Sequence, residues 1–514
     1  MERNTALGEW QHLKGKRSTL ETRWEKYSGW TIPRLFSPEN YKQESEELSH
    51  DFQSVGAQGT NHIVNKLMLA LFSASRPFIR LELDERERQA LIANLQLEDG
   101  DIDAALASGE RRAVRYMDRE GTIRSKLYNV LANLAVLGNV VLYLPPKKAS
   151  KESVRVFGLK NFVVRRTGTG EVKTCIIREE LLFDELASEV QEWFTQQKGA
   201  GRYRPDTSVQ YFIQIERQPD GTYRTCQWVD KQKLPSKWDG KYTADTLPYR
   251  VLTWGLEDSN DYGSGLVEDY SGDFNALSML SEAEVTGAIL ASEFRWLVNP
   301  AGFTKAEDFE QSDNGAALPG VEGDIQLVAN SKPGDLQVVS ASAERYIRRL
   351  GQAFLLNSAV TRDAERVTAE EIRQQAVELE TSLGGTYSRI AVDLQRPLGR
   401  WLLERVDFSV SGTKVELTIV TGLDALSRNA DLENVRLFVS DIAMIGTLPE
   451  PVQRVVKLDN IVATLAVGRN LDPKQYVKNA DERAQDDAAQ QQQMQDQVAT
   501  EAGGQIAVAQ ATQQ

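Results

Sequence analysis

The most constraining feature of the sequence is a run of helical periodicity from Thr368 to Arg405. Thr368 and Glu371 form a capping-box pattern, which predicts that a helix begins there. The apolar positions that follow are Ile372, Ala376, Leu379, Leu383, Tyr387, Ile390, Leu394, Leu398 and Leu402. Their three- and four-residue steps keep one helix face apolar. An unbroken helix of this span would be about 55 Å long, which rivals a domain diameter, and kinks are expected at Gly384-Gly385 and Pro397.

A polar segment, Ser358–Val367, lies immediately before this helix. It carries Arg362, Asp363, Glu365 and Arg366 within five residues. These charges lie outside the apolar stripe and contribute nothing to it. We therefore expect this charged segment to have a function other than packing the helix.

Length, charge and cysteine content limit the classes of protein. The chain has 514 residues, enough for about two to four domains. A net charge of −14 argues against a protein that grips nucleic acid by neutralising phosphates, but permits one that surrounds a sliding duplex. Cys175 and Cys226 make no disulfide framework and fit a reduced setting. The start has no secretion signal, and the apolar stretch Leu131–Leu144 is too short to span a bilayer, so we predict a soluble protein.

The first half of the chain predicts one α+β domain. Predicted helices are Gly8–Tyr27 (a surface helix), Val55–Phe72, Asp84–Gln96, Asp103–Arg119, Gly121–Val136 and the insert Leu181–Lys198. Predicted strands are Phe78–Leu83, Gly138–Leu144, Phe162–Arg166, Val172–Arg178, Gln210–Arg217, Tyr223–Val229 and Tyr249–Trp254. Turn residues at Thr167–Gly170 and Pro219–Gly221 predict two hairpins.

The next part predicts a helix that leads out, a compact tip and a helix that returns. Apolar spacing predicts one helix from Leu266 to Val298. The segment Pro300–Val339 is punctuated by Gly and Pro and is predicted to hold short strands at Asp324–Val328 and Leu336–Val339. Ser342–Leu356 is the predicted returning helix. Together these elements form a stalk with a head.

The C-terminal part predicts strands, then helices, then a low-complexity tail. Phe408–Val410 and Lys414–Val420 are predicted strands that return to the first sheet. Leu426–Val439 and Val452–Leu465 are predicted helices. The Ala/Gln-rich stretch Ala480–Gln514 is unable to pack a core alone.

The sequence offers little support for catalysis, a cofactor or a metal site. His12, His50 and His62 lack metal-ligand spacing, so we predict structural or exposed roles for them. The chain contains no Walker-type phosphate loop, no nucleophile elbow and no dinucleotide fingerprint. Glu171-Val-Lys173 fits a metal-dependent nuclease pattern, but no second carboxylate is placed to share a metal ion. The alternatives left open are this carboxylate enzyme and a generic scaffold or adaptor protein.

Several short strings occur in a characteristic order over most of the chain. They are Lys66–Phe72, Gly138–Pro145, Tyr262–Gly265, Leu297–Thr304, Phe354–Val360, Glu365–Arg373 and Glu378–Ser388. Through this series the chain resembles the portal (head-to-tail connector) proteins of short-tailed bacteriophages, podoviruses of the coliphage type. The resemblance implies an α+β, mainly helical subunit of a portal-type ring, with a wing, a helical stem, a small clip and a helical crown.

The resemblance also assigns parts of the chain to these regions. The implied segments are the wing (1–261), stem helices (262–299 and 340–357), clip (300–339), tunnel loop (358–367), long helix of the wing (368–406), wing strands (407–425), crown (426–479) and low-complexity tail (480–514). The tunnel loop would project into a central channel. Arg362, Arg366 and Arg373 are then the candidates for contact with DNA. The competing interpretation is that they pair with acidic residues of their own or a neighbouring subunit.

The implied function is a dodecameric ring at a capsid vertex, the conduit for DNA packaging and ejection. Implied partners are further copies of the chain, the terminase motor, tail and adaptor proteins, and capsid, scaffolding and internal core proteins. Double-stranded DNA would pass through without sequence specificity, and no membrane, cofactor or metal ion is implied. The implied location is the virion, after assembly in the host cytoplasm. An acidic chain would repel the duplex and leave it mobile.

Overall fold

The computed structural model describes most of residues 5–408 together with residues 417–420. The longest stretches outside the described residues are 90–98, 357–368, 421–436 and 441–514. The helices are α1 Ala6–Lys16, α2 Ser18–Trp30, α3 Val55–Leu71, α4 Asp99–Arg119, α5 Thr122–Leu137, α6 Ser188–Lys198, α7 Leu266–Asp269, α8 Ser271–Ser292, α9 Ala306–Glu310, α10 Pro333–Ala353, α11 Ala369–Ser382, α12 Thr386–Ile390 and α13 Arg396–Arg405. The chain divides into two compact units after Leu423, and nearly all described residues belong to the first.

The strands form a main antiparallel sheet and smaller sheets. They are β1 Arg80–Leu83, β2 Asn139–Tyr143, β3 Arg155–Phe157, β4 Phe162–Arg166, β5 Val172–Leu182, β6 Ser208–Arg217, β7 Tyr223–Val229, β8 Gln232–Lys233, β9 Gly240–Tyr242, β10 Tyr249–Thr253, β11 Phe294–Val298, β12 Ile325–Ala329 and β13 Leu417–Val420. The main sheet has the order β4-β5-β6-β7-β8, with β9 also on β7. Both predicted hairpins, β4–β5 and β6–β7, are confirmed. The mixed, mainly helical α+β class is confirmed.

The N-terminal prediction of one surface helix is wrong. The chain forms two helices, α1 and α2, and their apolar residues are buried. Trp10 packs on the main sheet with its ring 6.3 Å from that of Phe212. Arg17 lies at the break between the helices and is only 2% exposed. Its guanidinium donates to the Phe162 and Leu159 carbonyls at 2.7 and 2.8 Å, which compensates for burial of the charge.

Two of the characteristic strings meet beside β2. Gly138 ends α5 in the left-handed region at φ 73°, where a side chain would also collide with the backbone of residues 263–265. The next residue, Asn139, is fully buried. Its side chain accepts from the Gly263 nitrogen at 2.8 Å and donates to the Gly263 carbonyl at 2.7 Å. This pair of bonds fixes the segment that leads into α7 to the small sheet β10-β2-β3.

Two predictions for the stalk are wrong. The helix predicted to reach Val298 ends with α8 at Ser292, and Phe294–Val298 forms β11. Leu336–Val339, predicted as a strand, lies inside α10. Pro333 begins α10, a position where the missing amide proton has no cost. The predicted strand at Asp324–Val328 is confirmed as β12, Ile325–Ala329, which pairs antiparallel with β11.

The long C-terminal helix is interrupted at its glycines. Gly384 and Gly385 adopt φ values of 57° and 83°, so α11 ends before them and α12 begins after them. A π-helical turn, Ala391–Gln395, then leads into α13, whose first turn contains Pro397. The predicted kink at Gly384-Gly385 is confirmed, whereas the kink at Pro397 stays a prediction. The capping residue Thr368 lies outside the described residues.

The chain after α13 differs in part from the prediction. Strand β13, Leu417–Val420, pairs antiparallel with β1, so its predicted return to the first half of the chain is confirmed. The two strands form a sheet of their own and do not join the main sheet. Phe408 is not in a strand. The helices predicted at Leu426–Val439 and Val452–Leu465, and the tail, lie outside the described residues apart from isolated positions, as does most of Asp84–Gln96. Among the helices that the structure describes, none is long and apolar enough to cross a membrane.

Candidate functional site

The predicted channel arginines fall at the edge of the described structure. Arg362 and Arg366 lie outside the described residues. Arg373 lies in α11, and its side chain is not among those described. Contact between these arginines and DNA therefore stays a prediction. The structure does describe both flanks of residues 357–368, and both flanks contact helix α3.

The N-terminal flank is the end of α10, which packs against α8, and we use the word stem for this pair of helices. Phe354 is 1% exposed, and its ring lies 5.7 Å from that of Phe274 at the start of α8. It packs so closely on α3 that a Cβ at Gly59 would approach its ring to 2.9 Å. Leu355 then takes a left-handed φ of 57°, which turns the chain out of the helix.

The C-terminal flank is helix α11. Glu378 of α11 forms an ion pair of 3.2 Å with Lys66 of α3. Lys66 is only 4% exposed, whereas Glu378 is half-buried. Because a buried ammonium group requires a charged or polar partner, this pair fixes the position of α11 against α3.

His62 lies one turn before Lys66 on α3, next to the N-terminal flank. It forms a hydrogen bond with the backbone of Leu355. Two effects lower the pKa of His62 below its usual value of 6.5. Burial has the larger effect, and the nearby positive charge of Lys66 has the next largest. Among the described residues, its Nε2 atom has no hydrogen-bond partner. The imidazole is therefore neutral at neutral pH and sensitive to acid.

Helix α3 also holds the chain beyond the glycine kink. The hydroxyl of Tyr387 donates to the Ala70 carbonyl at 3.3 Å, and the Gln395 amide donates to the Leu71 carbonyl. Tyr387 and Gln395 are both buried. One helix thus positions the end of the stem, α11 and the π-helical turn. We call α3 and these partners the α3 anchor.

The stem consists of α8 and α10, which pack against each other. Near its start, α8 buries Phe274 and Leu277 completely. Further along, it leaves four large apolar side chains exposed: Met279, Val285, Ile289 and Leu290. On the other helix, Val338 and Ile347 are exposed. A helix that is apolar on its exposed side as well as its buried side is typical of one that packs against a further partner.

The tip is the β11–β12 hairpin and the chain between its strands. Asn299 caps the end of β11, because its Oδ1 accepts from the Ala301 nitrogen at 3.1 Å. The buried Asp324 accepts from the Phe303 nitrogen at 2.9 Å. These bonds hold the turn so that the Phe303 ring is 85% exposed, with Trp296 and Leu297 also exposed. The tip therefore has an exposed aromatic and aliphatic surface.

Comparison with known proteins establishes the family. The family described as bacteriophage head to tail connecting protein matches residues 3–477. The chain belongs to this family. The portal protein of Escherichia phage T7 is 32% identical over 508 residues, which cover 96% of this chain and 93% of that protein. The portal protein of Enterobacteria phage T3 is 33% identical over 460 residues (87% and 84%), and that of Enterobacteria phage SP6 is 31% identical over 448 residues (87% and 85%).

A solved neck structure of an empty gene transfer agent particle also aligns with this connector. It covers 78% of this chain and 89% of the other, with 13% identity and a TM-score of 0.35. That score is too low to support a structural argument. A head-to-tail connector is a structural part of the virion at a capsid vertex and not an enzyme, so the nuclease alternative is not favoured. The predicted resemblance is confirmed.

The local environment of Glu171 also fits a structural role. Its carboxylate pairs with Arg217 across the hairpins at 2.9 Å. Across the part of the chain that the structure describes, no group of His, Cys, Asp and Glu residues is placed to hold a metal ion. Glu171 thus contributes a surface ion pair where β5 begins and β6 ends.

The residues of the α3 anchor were not predicted from the sequence. One residue of the anchor could have been identified from the sequence. Lys66 is the single charged residue in the string KLMLALF, and a lysine inside an apolar helix segment requires a partner if it is buried. Its partner, Glu378, is 312 positions away, and local patterns contain no information on such a pair. His62 was predicted to be structural or exposed, and it is a half-buried structural residue.

Proposed function

We propose that the chain forms a dodecameric portal ring that is the conduit for DNA packaging and ejection. The observation that carries the proposal is the family match over residues 3–477. Portal proteins of three phages, similar over 87% to 96% of this chain, support it. The proposed location is the portal vertex of the virion, after assembly in the host cytoplasm.

The exposed apolar side of α8 supports ring formation. Ile289 and Leu290 are 56% and 45% exposed, a state that is unfavourable for neighbouring large side chains in water. In a ring of cyclic symmetry, each subunit meets the next through the same pair of surfaces. Neighbouring stems would then cover this side of α8. The burial would stabilise the ring without any contribution from a disulfide or metal ion.

The regions of the ring follow the chain order. We assign α8 and α10 to the stem, and the β11–β12 hairpin with its connecting chain to the clip, so that the clip begins near Phe294. The wing would comprise the part before α7, helices α11 to α13 and β13. Residues 358–367 would form the tunnel loop, 426–479 the crown and 480–514 a low-complexity tail.

The tunnel loop would contact DNA at the narrowest part of the channel. Arg362 and Arg366 are its basic residues, and Arg373 follows in α11. A net charge of −14 keeps the affinity of the whole chain for the duplex low. A few arginines repeated around the ring would touch phosphates transiently and restrict backward movement, without reading the sequence.

The partners would meet different ends of this ring. The exposed Phe303, Trp296 and Leu297 of the tip support a docking role for the clip, with the tail and adaptor proteins and, during packaging, the terminase motor as proposed partners. Capsid, scaffolding and internal core proteins would contact the wing and crown. Double-stranded DNA would pass through the centre.

Replacement of the loop arginine tests the channel assignment. We expect Arg366→Ala to leave the ring assembled but to lower DNA retention in packaged heads about twofold or more, because each phosphate contact adds to affinity. The measurement is the DNA content of purified heads after incubation, and Lys231→Ala, an exposed site distant in sequence, is the matched control. Unchanged retention in Arg366→Ala heads would remove this residue from the channel contact.

A further inference from the structure

Helix α4 has a row of exposed arginines on the side away from the core. Arg111, Arg115 and Arg119 are exposed and follow each other at intervals of four residues. Each side chain lies roughly 6 Å, about one helical turn, beyond the previous one, so the row is about 12 Å long. The opposite side of α4 is buried through Ala113 and Met117. The row is therefore a surface feature.

Among the described residues, these three arginines have no partner inside the subunit. Within the described part of the chain, none of their guanidinium groups forms an ion pair or hydrogen bond. Two nearby acidic residues have other partners: Asp118 accepts from Arg124 at 2.7 Å, and the buried Glu110 accepts from the Leu81 nitrogen at 2.9 Å. The exposed Glu120 directly follows Arg119. Like charges four residues apart on a helix repel each other. The row thus disfavours the helix that carries it.

We propose that Arg111, Arg115 and Arg119 bind the phosphate backbone of duplex DNA through an exposed surface of α4 that is distinct from residues 358–367. The proposal rests on the proposed function, which makes duplex DNA a ligand of the assembled ring. Arginine suits this partner because its planar guanidinium forms paired hydrogen bonds with phosphate oxygens. A row of about 12 Å matches three to four successive phosphates of one strand, at about 3.4 Å each along the duplex axis.

The charge of the rest of the chain limits the strength of this contact. With a net charge of −14, the chain repels DNA outside the row. Binding through the row is therefore weak, salt-sensitive and independent of base sequence. The main competing occupant is an acidic surface on a second copy of the chain. In that case the row would be required for ring assembly and would not be free to bind DNA.

Closed circular DNA distinguishes binding at the outer surface of a ring from binding in its channel. A covalently closed plasmid cannot thread through a preassembled ring, so its binding reports outer surfaces. The test variant is Arg111→Gln/Arg115→Gln/Arg119→Gln. Lys16→Gln/Lys26→Gln/Lys231→Gln is the matched control, because it removes the same charge from exposed sites without described partners. A third variant, with the three arginines changed to lysine, keeps the charge.

We expect wild-type rings to bind the plasmid and the arginine-to-glutamine variant to bind about tenfold more weakly, with a shallower dependence on salt between about 50 and 200 mM. The lysine-to-glutamine control should stay within about twofold of wild type, and the arginine-to-lysine variant should be intermediate. Equal loss in the control, no loss in the test variant, or no plasmid binding by wild type would each overturn the proposal.

Mass photometry before DNA is added separates the remaining outcomes. If glutamine in the row prevents ring assembly while lysine permits it, the row contacts a second copy and the proposal is wrong. If the wild-type chain itself forms no ring, the proposed portal function fails. Intact wild-type rings that do not bind the plasmid would overturn only the arginine row.

Discussion

The α3 anchor and the stem differ in the solvent exposure of their large apolar side chains. In the anchor, Phe354 and Tyr387 are buried, and the Tyr387 hydroxyl donates to the Ala70 carbonyl within the chain. In the stem and tip, Ile289, Leu290 and Phe303 remain exposed. One region is completed by the chain itself, whereas the other offers surface that a neighbour or partner can cover. The anchor should therefore govern the stability of the subunit, and the stem should govern assembly.

The largest difference between the two regions is expected for two phenylalanines. Phe354→Ala should lower the free energy of unfolding by about 3–5 kcal/mol, because it leaves a cavity between α3, α8 and α10. Phe303→Ala should change it by less than about 0.5 kcal/mol, because the ring is already in solvent. Urea unfolding of the subunit at low concentration measures both. Equal effects of the two substitutions would break the contrast between anchor and tip.

Substitution on the exposed side of α8 should weaken ring assembly and leave the stability of the subunit unchanged. Ile289→Ser/Leu290→Ser should weaken each contact between neighbouring stems by about 2–4 kcal/mol and shift rings to smaller species, while the subunit remains folded. Mass photometry measures assembly, and circular dichroism measures the fold. Phe52→Ser, at another exposed apolar residue, is the control and should leave assembly unchanged. Normal rings from the α8 variant would exclude this side of the helix from the interface.

A smaller effect is expected at the Lys66–Glu378 pair. Glu378→Ala should cost about 1.5–3 kcal/mol of unfolding free energy, because it leaves the ammonium of Lys66 buried without its charged partner. Adding Lys66→Met should recover part of this loss, which a double-mutant cycle from urea unfolding measures. Glu344→Ala, which removes the exposed pair with Arg348, should change the free energy by less than about 0.5 kcal/mol. Equal losses at Glu378 and Glu344 would contradict the anchor.

The smallest expected effect is the pH response of His62. Its pKa is lower in the folded chain than the ordinary 6.5, so below about pH 6.5 the unfolded chain binds more protons than the folded one. Stability is therefore retained at higher pH and decreases as the pH falls through that value toward the folded pKa. His62→Gln should reduce the difference in melting temperature between about pH 7.5 and 5.5. His12→Gln, at an exposed histidine, serves as the control, and an unchanged pH response in His62→Gln would refute the assignment.

The sequence predicts the strands and turns whose conformation depends only on nearby residues. The strands Phe162–Arg166 and Tyr223–Val229 have the predicted bounds, because adjacent turns set their pairing. The kink at Gly384-Gly385 follows from local backbone freedom. The strand Phe294–Val298 was missed because its partner strand, β12, is distant in sequence. Val338 and Val339 favoured a strand by propensity, but the packing of α10 against α8 overrides that preference.

The candidate site could be predicted only in part. The charged segment 358–367 and its arginines stand out in the sequence, and they remain a prediction. The residues that position its flanks, Lys66, Glu378 and His62, depend on the tertiary fold, because α3 and α11 are far apart in the chain. Periodicity marks which face of a helix is apolar, but not which helix covers it.

Electron microscopy of the purified chain directly tests whether it forms a ring with an open pore. We expect closed rings of twelve subunits around a pore wide enough for duplex DNA, with the stem helices in contact between neighbours. Particles that remain monomeric at micromolar concentration, or rings with a closed centre, would contradict this expectation.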